Sequence, residues 1–103
     1  MGWSEEFSPL TFQSKFGPEK WLGLATDATL EEMAAQGIKN VAVITPGFVS
    51  DCIETLEEIE IAAGENFVAA GGENLSLIPC LNDAPEMLEF LSAMVSKELG
   101  GWV

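Results

Sequence analysis

The sequence contains no histidine and no arginine, and its four lysines face 17 aspartates and glutamates, which gives a formal net charge of −13 at pH 7. Without histidine, the chain has no imidazole to serve as a general base or metal ligand. Polar chemistry in this protein therefore rests on carboxylates. So acidic a surface repels phosphate backbones and excludes nucleic acid as a partner. It also disfavours anionic lipid surfaces, which leaves metal ions, a covering protein domain or peripheral membrane contact through an apolar patch.

Long apolar runs and paired cysteine motifs are also missing. No segment approaches the roughly 18–20 apolar residues that span a bilayer, and Met1–Glu6 lacks the basic and apolar regions of a signal peptide. We therefore expect a cytoplasmic protein. Cys52 and Cys80 have no CxxC spacing. We expect reduced, mostly buried thiols, with no iron–sulfur cluster and no tightly bound cofactor.

The hydrophobic pattern predicts one small α/β domain over residues 1–103, in which residues 1–10 form an irregular arm. Strands are predicted at 10–16, 40–45 and 75–81, each followed by a helix, in the order β-α-β-α-β-α. Right-handed crossovers make this a small parallel sheet with helices on both faces. Three strands are few for such a sheet, so the chain resembles half of a larger unit.

Polar residues and glycines mark the ends of the predicted helices. Thr26 or Asp27 is predicted to cap the first helix, and Gly37 to follow its last turn. The second helix is predicted to begin near residue 50 or 51, and Gly64 and Gly71 enclose a further helical stretch. Asn82 or Asp83 is predicted to cap the last helix. An α-helix has about 3.6 residues per turn, and this spacing predicts one apolar stripe on each of two helices. The stripes are Cys52, Leu56, Ile59 and Ala63 in the second helix, and Leu88, Leu91 and Val95 in the last helix.

The segment Pro46–Glu58 reads as the end of a strand, a glycine turn and a helix rich in carboxylates. Open α/β sheets bind ligands at the carboxyl ends of their strands. Asp51, Glu54 and Glu58 share one edge of this helix, where they can accept protons or hold a cation. Taken alone, such a charge run more often marks a solvated helix face, and both interpretations stay open on this pattern.

Three motifs resemble those of ferrochelatases. Residues 12–27 match FQS-[KR]-x-G-x-x-x-WL-x-x-x-TD, residues 47–58 match G-F-x-[SA]-D-[HC]-[IL]-E-T-L-x-E, and residues 78–82 carry the P-x-L-N motif. Their order and spacing also match, and the resemblance covers almost the whole chain but only the C-terminal part of a ferrochelatase. It implies a Rossmann-like, chelatase-like half of a lyase that inserts ferrous iron into protoporphyrin IX in haem biosynthesis, with iron as a substrate.

The resemblance also implies site residues. Glu54 matches the family's essential glutamate, which faces the porphyrin and assists pyrrole deprotonation or metal delivery. Asp51 and Glu58 match acids along the route of the metal or the released protons, so Asp51, Glu54 and Glu58 are the expected metal-contacting residues. The resemblance implies that Phe48 and Trp21 line the porphyrin cleft. Lys15, one of only four lysines, is expected to bind a porphyrin propionate or to pair with an acid.

The chain departs from the family in two respects. Many members have histidine at the position of Cys52, although cysteine also occurs there. The family's second catalytic element, a histidine in the N-terminal half, is missing altogether. We therefore expect the isolated chain to be inactive and to require a missing N-terminal half or self-association. The alternative is a non-enzymatic acidic α/β module that binds a metal ion or a partner domain.

Overall fold

Short parallel strand pairs and helices make up the fold of the computed structural model, which describes residues 2, 4, 8–13 and 23–102. The α/β class and the parallel pairing predicted from the sequence are confirmed. The strands are β1 Thr11–Phe12, β2 Leu24–Ala25, β3 Asn40–Val43 and β4 Asn74–Leu77. The helices are α1 Thr26–Ala35, a π-helix Glu54–Ala63 that continues directly into α2 Gly64–Ala69, and α3 Pro85–Glu98.

The strands form two separate pairs, in contrast to the single three-stranded sheet that the sequence predicted. β1 pairs with β2, and β3 pairs with β4, both in parallel. β2 was not predicted; its two residues immediately precede α1. Of the predicted strand 10–16, the described part contributes β1, and residues 14–16 lie outside the described residues. The predicted strand order is therefore not reproduced in the described part of the chain.

Helix α1 begins and ends where the sequence indicated, but neither Thr26 nor Asp27 caps it. Thr26 is already helical and buried, and its hydroxyl lies 2.8 Å from the hydroxyl of Thr11. A tertiary contact to β1 thus uses the oxygen that a cap would have used, so the cap prediction was wrong. The other end is as predicted, because Gly37 has φ of +91°, a conformation that glycine adopts without strain.

The hydrophobic core lies on one face of the β3–β4 pair. Its buried residues come from α1, the π-helix and α2, and the half-buried residues of β3 and β4 pack against them: Leu30, Ala34, Ala63 and Phe67, with Val41 and Leu75. Phe67 is fully buried, and a side chain at Gly72 would collide with its ring. Exposure alternates along β3 and β4, so Ala42 and Ser76 on the opposite face are exposed. The described chain therefore covers one face of this pair, where two covered faces were predicted.

The second predicted helix is a π-helix over most of its length, and this changes which residues it buries. Buried residues recur every fourth position through the π-helix and α2: Thr55, Ile59, Ala63 and Phe67. A π-helix closes i→i+5 hydrogen bonds and winds more widely than an α-helix. The predicted stripe was therefore wrong at Leu56, which is 46% exposed, and missed Thr55, which is 0% exposed.

Helix α3 begins at Pro85, so the predicted proline in its first turn is confirmed. The predicted cap is wrong, because Ala84 precedes the helix and no side chain caps it. Met87 is the buried residue of this helix. The predicted stripe of Leu88, Leu91 and Val95 is 55%, 37% and 49% exposed, so the described chain leaves it largely uncovered.

Candidate functional site

Two loops meet at the carboxyl ends of β3 and β4 and form the candidate site. The backbone N–H of Ile78 donates to the carbonyl of Val43 at 2.8 Å, which continues the pairing beyond the strands. Farther out, the N–H of Asn82 donates to the carbonyl of Val49 at 2.9 Å. The loop after β3, which carries the turn at Gly47 and leads into the π-helix, is thereby held beside the loop after β4.

Asp51 joins these loops through its own backbone and carboxylate. Its N–H donates to Asn82 Oδ1 at 2.9 Å, and Asn82 Nδ2 donates to Asp51 Oδ2 at 2.8 Å. The backbone N–H of Cys80 lies 3.3 Å from Asp51 Oδ2, and the Thr55 hydroxyl lies 3.0 Å from Oδ1. We call Asp51, Asn82, Cys80 and Thr55, with these hydrogen bonds, the Asp51 clamp.

The fully buried Thr55 ties the clamp to the start of the π-helix. Its Oγ1 accepts a hydrogen bond from the N–H of Cys52 at 2.9 Å and lies 3.2 Å from the Cys52 carbonyl. The same hydroxyl can donate its single proton to the Asp51 carboxylate. This hydroxyl therefore satisfies a backbone group at the helix start and stabilises the Asp51 anion.

The clamp changes the acidity of two of its members. The hydrogen bond from Asn82, helped by those from Cys80 and Thr55, lowers the pKa of Asp51 below its ordinary value because these bonds favour the charged form. For Cys80, the hydrogen bond with Thr45 lowers the pKa, but burial together with the Asp51 carboxylate outweighs it. The pKa of the Cys80 thiol is therefore raised. Both cysteines are free thiols, and they are half-buried, where the sequence predicted mostly buried ones.

Glu54 is the first residue of the π-helix and is exposed. Apolar side chains lie in the same two loops, and they are also open to solvent: Phe48 is 37% exposed, Val49 53%, Ile53 71% and Leu81 56%. Sequence reasoning named Phe48 but missed the other three, although their positions next to Phe48, Glu54 and Asn82 were a usable signal. An exposed carboxylate beside loops that also expose apolar side chains suits a large, flat, apolar ligand with a polar centre.

Glu58 does not join the Asp51 clamp. It is half-buried, and its Oε2 lies 3.3 Å from Gln13 Nε2, on the residue that follows β1. In the described ranges, no group of three or more aspartate, glutamate or cysteine side chains is arranged to hold a metal ion. The assignment of Asp51, Glu54 and Glu58 to a metal route therefore stays a prediction.

Two predicted substrate-binding residues, Trp21 and Lys15, lie outside the described residues. Asn82, which sequence reasoning treated as a helix cap, is instead the partner of Asp51.

None of the helices in the described residues is both long and apolar enough to cross a bilayer.

The fold and this site define an α/β protein with an acidic, partly apolar edge at the carboxyl ends of two parallel strands. Comparison with known families identifies it further: the sequence model of the ferrochelatase family matches residues 2–99. The chain belongs to the ferrochelatase family, whose members are metal-inserting lyases of haem biosynthesis. This confirms the resemblance inferred from the three sequence motifs.

Curated relatives show the same relationship and its extent. The chain is 57% identical over 103 residues to a ferrochelatase of Allorhizobium ampelinum and 54% identical over 103 residues to one of Rhizobium meliloti. Each match covers 100% of this chain and 30% of the relative. A ferrochelatase of Chelativorans is 50% identical over 102 residues, which are 99% of this chain and 29% of the relative. The chain thus spans less than a third of the length of these relatives.

Proposed function

We propose that this chain supplies one wall of a porphyrin cleft in an enzyme that inserts ferrous iron into protoporphyrin IX. The observation that carries the proposal is the exposed Glu54 among exposed apolar side chains at the carboxyl ends of β3 and β4, in a member of the ferrochelatase family. Phe48 and Ile53 offer apolar surface to a macrocycle, and Glu54 offers the carboxylate. Trp21 and Lys15 are proposed as further porphyrin contacts from the sequence motif alone.

The chemistry of metal insertion suits these groups. Metalation displaces both pyrrole protons of the macrocycle and brings in a divalent ion. A carboxylate beside the ring accepts a proton, and we assign this role to Glu54. Carboxylate oxygens are hard ligands with modest affinity for ferrous iron, which favours transfer over storage. Iron is therefore a substrate here, and the proposal needs no tightly bound cofactor and no iron–sulfur cluster.

The proposed enzyme needs more than this chain. The sequence has no histidine, so the imidazole that the family resemblance implies must come from elsewhere. Because the chain spans 30% of the relatives, their remaining part is the proposed source of the opposite wall. We expect the isolated chain to be inactive, and we place the complete enzyme in the cytoplasm, with any membrane contact made at the bilayer surface.

The test is complementation. The chain is mixed with the portion of a curated relative that it does not cover, and zinc insertion into a porphyrin is followed by fluorescence. We expect activity in the mixture and none in either part alone. Glu54→Gln should lower kcat by about 100-fold to 10,000-fold, because a general base contributes about that much. Glu57→Gln is the matched control, since Glu57 is also exposed on the π-helix but is not assigned to the site.

A mixture that associates and stays folded without inserting zinc would contradict the proposal. Titration of the isolated chain with porphyrin, followed by tryptophan fluorescence, separates it from the alternative of an acidic binding module. Saturable zinc binding that survives Glu54→Gln, with no quenching by porphyrin, would favour that module.

A further inference from the structure

The Asn82 side chain is hydrogen-bonded at both ends to one residue. Its Oδ1 accepts from the backbone N–H of Asp51 at 2.9 Å, and its Nδ2 donates to the Asp51 carboxylate at 2.8 Å and to the Cys80 carbonyl at 3.2 Å. Only one orientation of the amide satisfies both bonds, because the backbone group is a donor and the carboxylate is an acceptor. Asn82 also has φ of +49°, a left-handed conformation that asparagine tolerates better than most residues. This position therefore suits asparagine in both backbone and side chain.

The Asp51 carboxylate has neutral donors at both of its oxygens. Oδ1 faces the Thr55 hydroxyl at 3.0 Å, and Oδ2 faces Asn82 Nδ2 and the Cys80 N–H at 2.8 and 3.3 Å. These donors occupy three of the about four lone-pair sites of the carboxylate, so little of it is left to bind a metal ion. Its surroundings differ from those of Glu54, which is exposed at the helix start.

Asp51 lies between two residues of the proposed site, so the clamp holds the segment that carries both. Asp51 lies three residues after Phe48 and three residues before Glu54. The bond from the Asn82 N–H to the Val49 carbonyl holds the same loop from a second point. The loop after β4 thereby fixes the segment that carries both the apolar Phe48 and the carboxylate of Glu54.

We propose that Asp51 is a positioning residue, which together with Asn82 fixes Glu54 and Phe48 relative to the carboxyl end of β4 and does not itself bind the metal. This inference rests on the proposed function of Glu54. It replaces the metal-contacting role expected for Asp51 from the sequence. It also gives a role in the site to Asn82, which sequence reasoning assigned to a helix cap.

An exchange of the two side chains tests the clamp. Asn82→Asp sets two carboxylates against each other and should break it. In the double variant Asp51→Asn with Asn82→Asp, the carboxylate at 82 can accept from the backbone N–H and the new amide at 51, and the carbonyl oxygen of that amide faces Thr55. The N–H and the carbonyl of Cys80, at 3.3 and 3.2 Å from the two exchanged groups, lose their partners. The swap should therefore restore the pair between positions 51 and 82 but not the hydrogen bonds to Cys80. Asn74→Asp is the matched control, because Asn74 is exposed and bonds locally to Ser76.

The first measurement uses the 103-residue chain alone and follows amide hydrogen exchange by NMR. In Asn82→Asp we expect exchange at the amides of Asp51 and Cys80 to accelerate at least about tenfold, since each tenfold corresponds to about 1.4 kcal/mol of lost protection. The swap should return the rate at position 51 to within about threefold of the original, while the Cys80 amide stays fast, and Asn74→Asp should leave both rates unchanged. Unchanged rates in Asn82→Asp, or no recovery at position 51 in the swap, would overturn the clamp.

The second measurement uses the complemented enzyme and separates kcat from the KM for zinc. Asn82→Asp should lower kcat about 100-fold with little change in the KM for zinc, because a misplacement of about 1 Å costs about that much. The swap should recover part of this loss although position 51 no longer carries a carboxylate, because the pair between positions 51 and 82 is rebuilt. A raised KM for zinc in both Asp51→Asn and the swap, with kcat unchanged, would identify Asp51 as a metal ligand and overturn the inference. If complementation gives no activity, the proposed function fails, and the exchange measurement still decides the clamp.

Discussion

The contribution of Asp51 to the stability of the folded chain depends on pH, because its hydrogen bonds favour the ionised carboxylate. The hydrogen bond from Asn82 is the largest cause that lowers the folded-state pKa of Asp51 below its ordinary value of 3.8. A carboxyl group of this kind stabilises the folded state fully at pH values above its unfolded pKa. It loses this contribution as the pH falls through its folded pKa. The clamp should therefore weaken in acid.

We predict that the stability difference between the original chain and Asp51→Asn depends on pH in this direction. At about pH 6 the original chain should be the more stable of the two, and the difference should shrink below about pH 4. Urea unfolding at several pH values measures it, and the same comparison for Asp27→Asn controls for the general loss of charge. A difference that stays constant down to about pH 2 would contradict the assignment of the clamp to the ionised carboxylate.

At the level of the elements, the start of the π-helix depends on one buried hydroxyl. Thr55 is 0% exposed and is hydrogen-bonded to the Cys52 N–H and the Asp51 carboxylate. Thr55→Val keeps the shape but leaves these groups without their partner. We predict a loss of about 1–3 kcal/mol in the free energy of unfolding, the usual cost of an unsatisfied buried group.

Urea unfolding at neutral pH measures this loss, and Thr29→Val is the matched control. The Thr29 hydroxyl donates at 2.8 Å to the carbonyl of Ala25, the residue directly before α1, and this bond is local in sequence. We expect the control to change stability by less than about 1 kcal/mol. Equal effects of the two substitutions would show that Thr55 has no special role at the helix start.

The elements also show how far the sequence predicts this fold. Glycines and a proline placed the ends of α1, α2 and α3 closely, because these residues act through local backbone geometry. The wider winding of the π-helix was not predicted. Buried residues at Ile59 and Ala63 fit both an α-helical and a π-helical repeat, and only the burial of Thr55 distinguishes the two repeats. Likewise, the motif around Glu54 directed attention to the candidate site, but nothing local indicated that Asn82 bonds Asp51, which lies 31 positions away. Contacts of this range depend on how the strands pair.

Considered as a whole, the described chain combines uncovered apolar surface with a large negative charge. Ala42 and Ser76 are exposed on the open face of the β3–β4 pair, and Ile44 is 57% exposed at the end of β3. Helix α3 exposes apolar side chains along its length, among them Leu88 at 55% and Phe90 at 58%. Apolar surface favours association, whereas the net charge of −13 opposes it. The balance between apolar attraction and charge repulsion therefore depends on the salt concentration.

We predict that the isolated chain is more monomeric at low ionic strength and self-associates as salt screens its charge. The Debye length falls from about 30 Å at 0.01 M to about 3 Å at 1 M, so repulsion between copies fades while apolar attraction persists. Sedimentation velocity across this salt range measures the association. Leu88→Glu should suppress it, and Ala93→Glu is the matched control, because it adds the same charge on the opposite side of α3. Association that is equally reduced by both variants would mean that charge alone governs it, and a monomer at every salt concentration would show that the apolar stripe of α3 does not drive self-association.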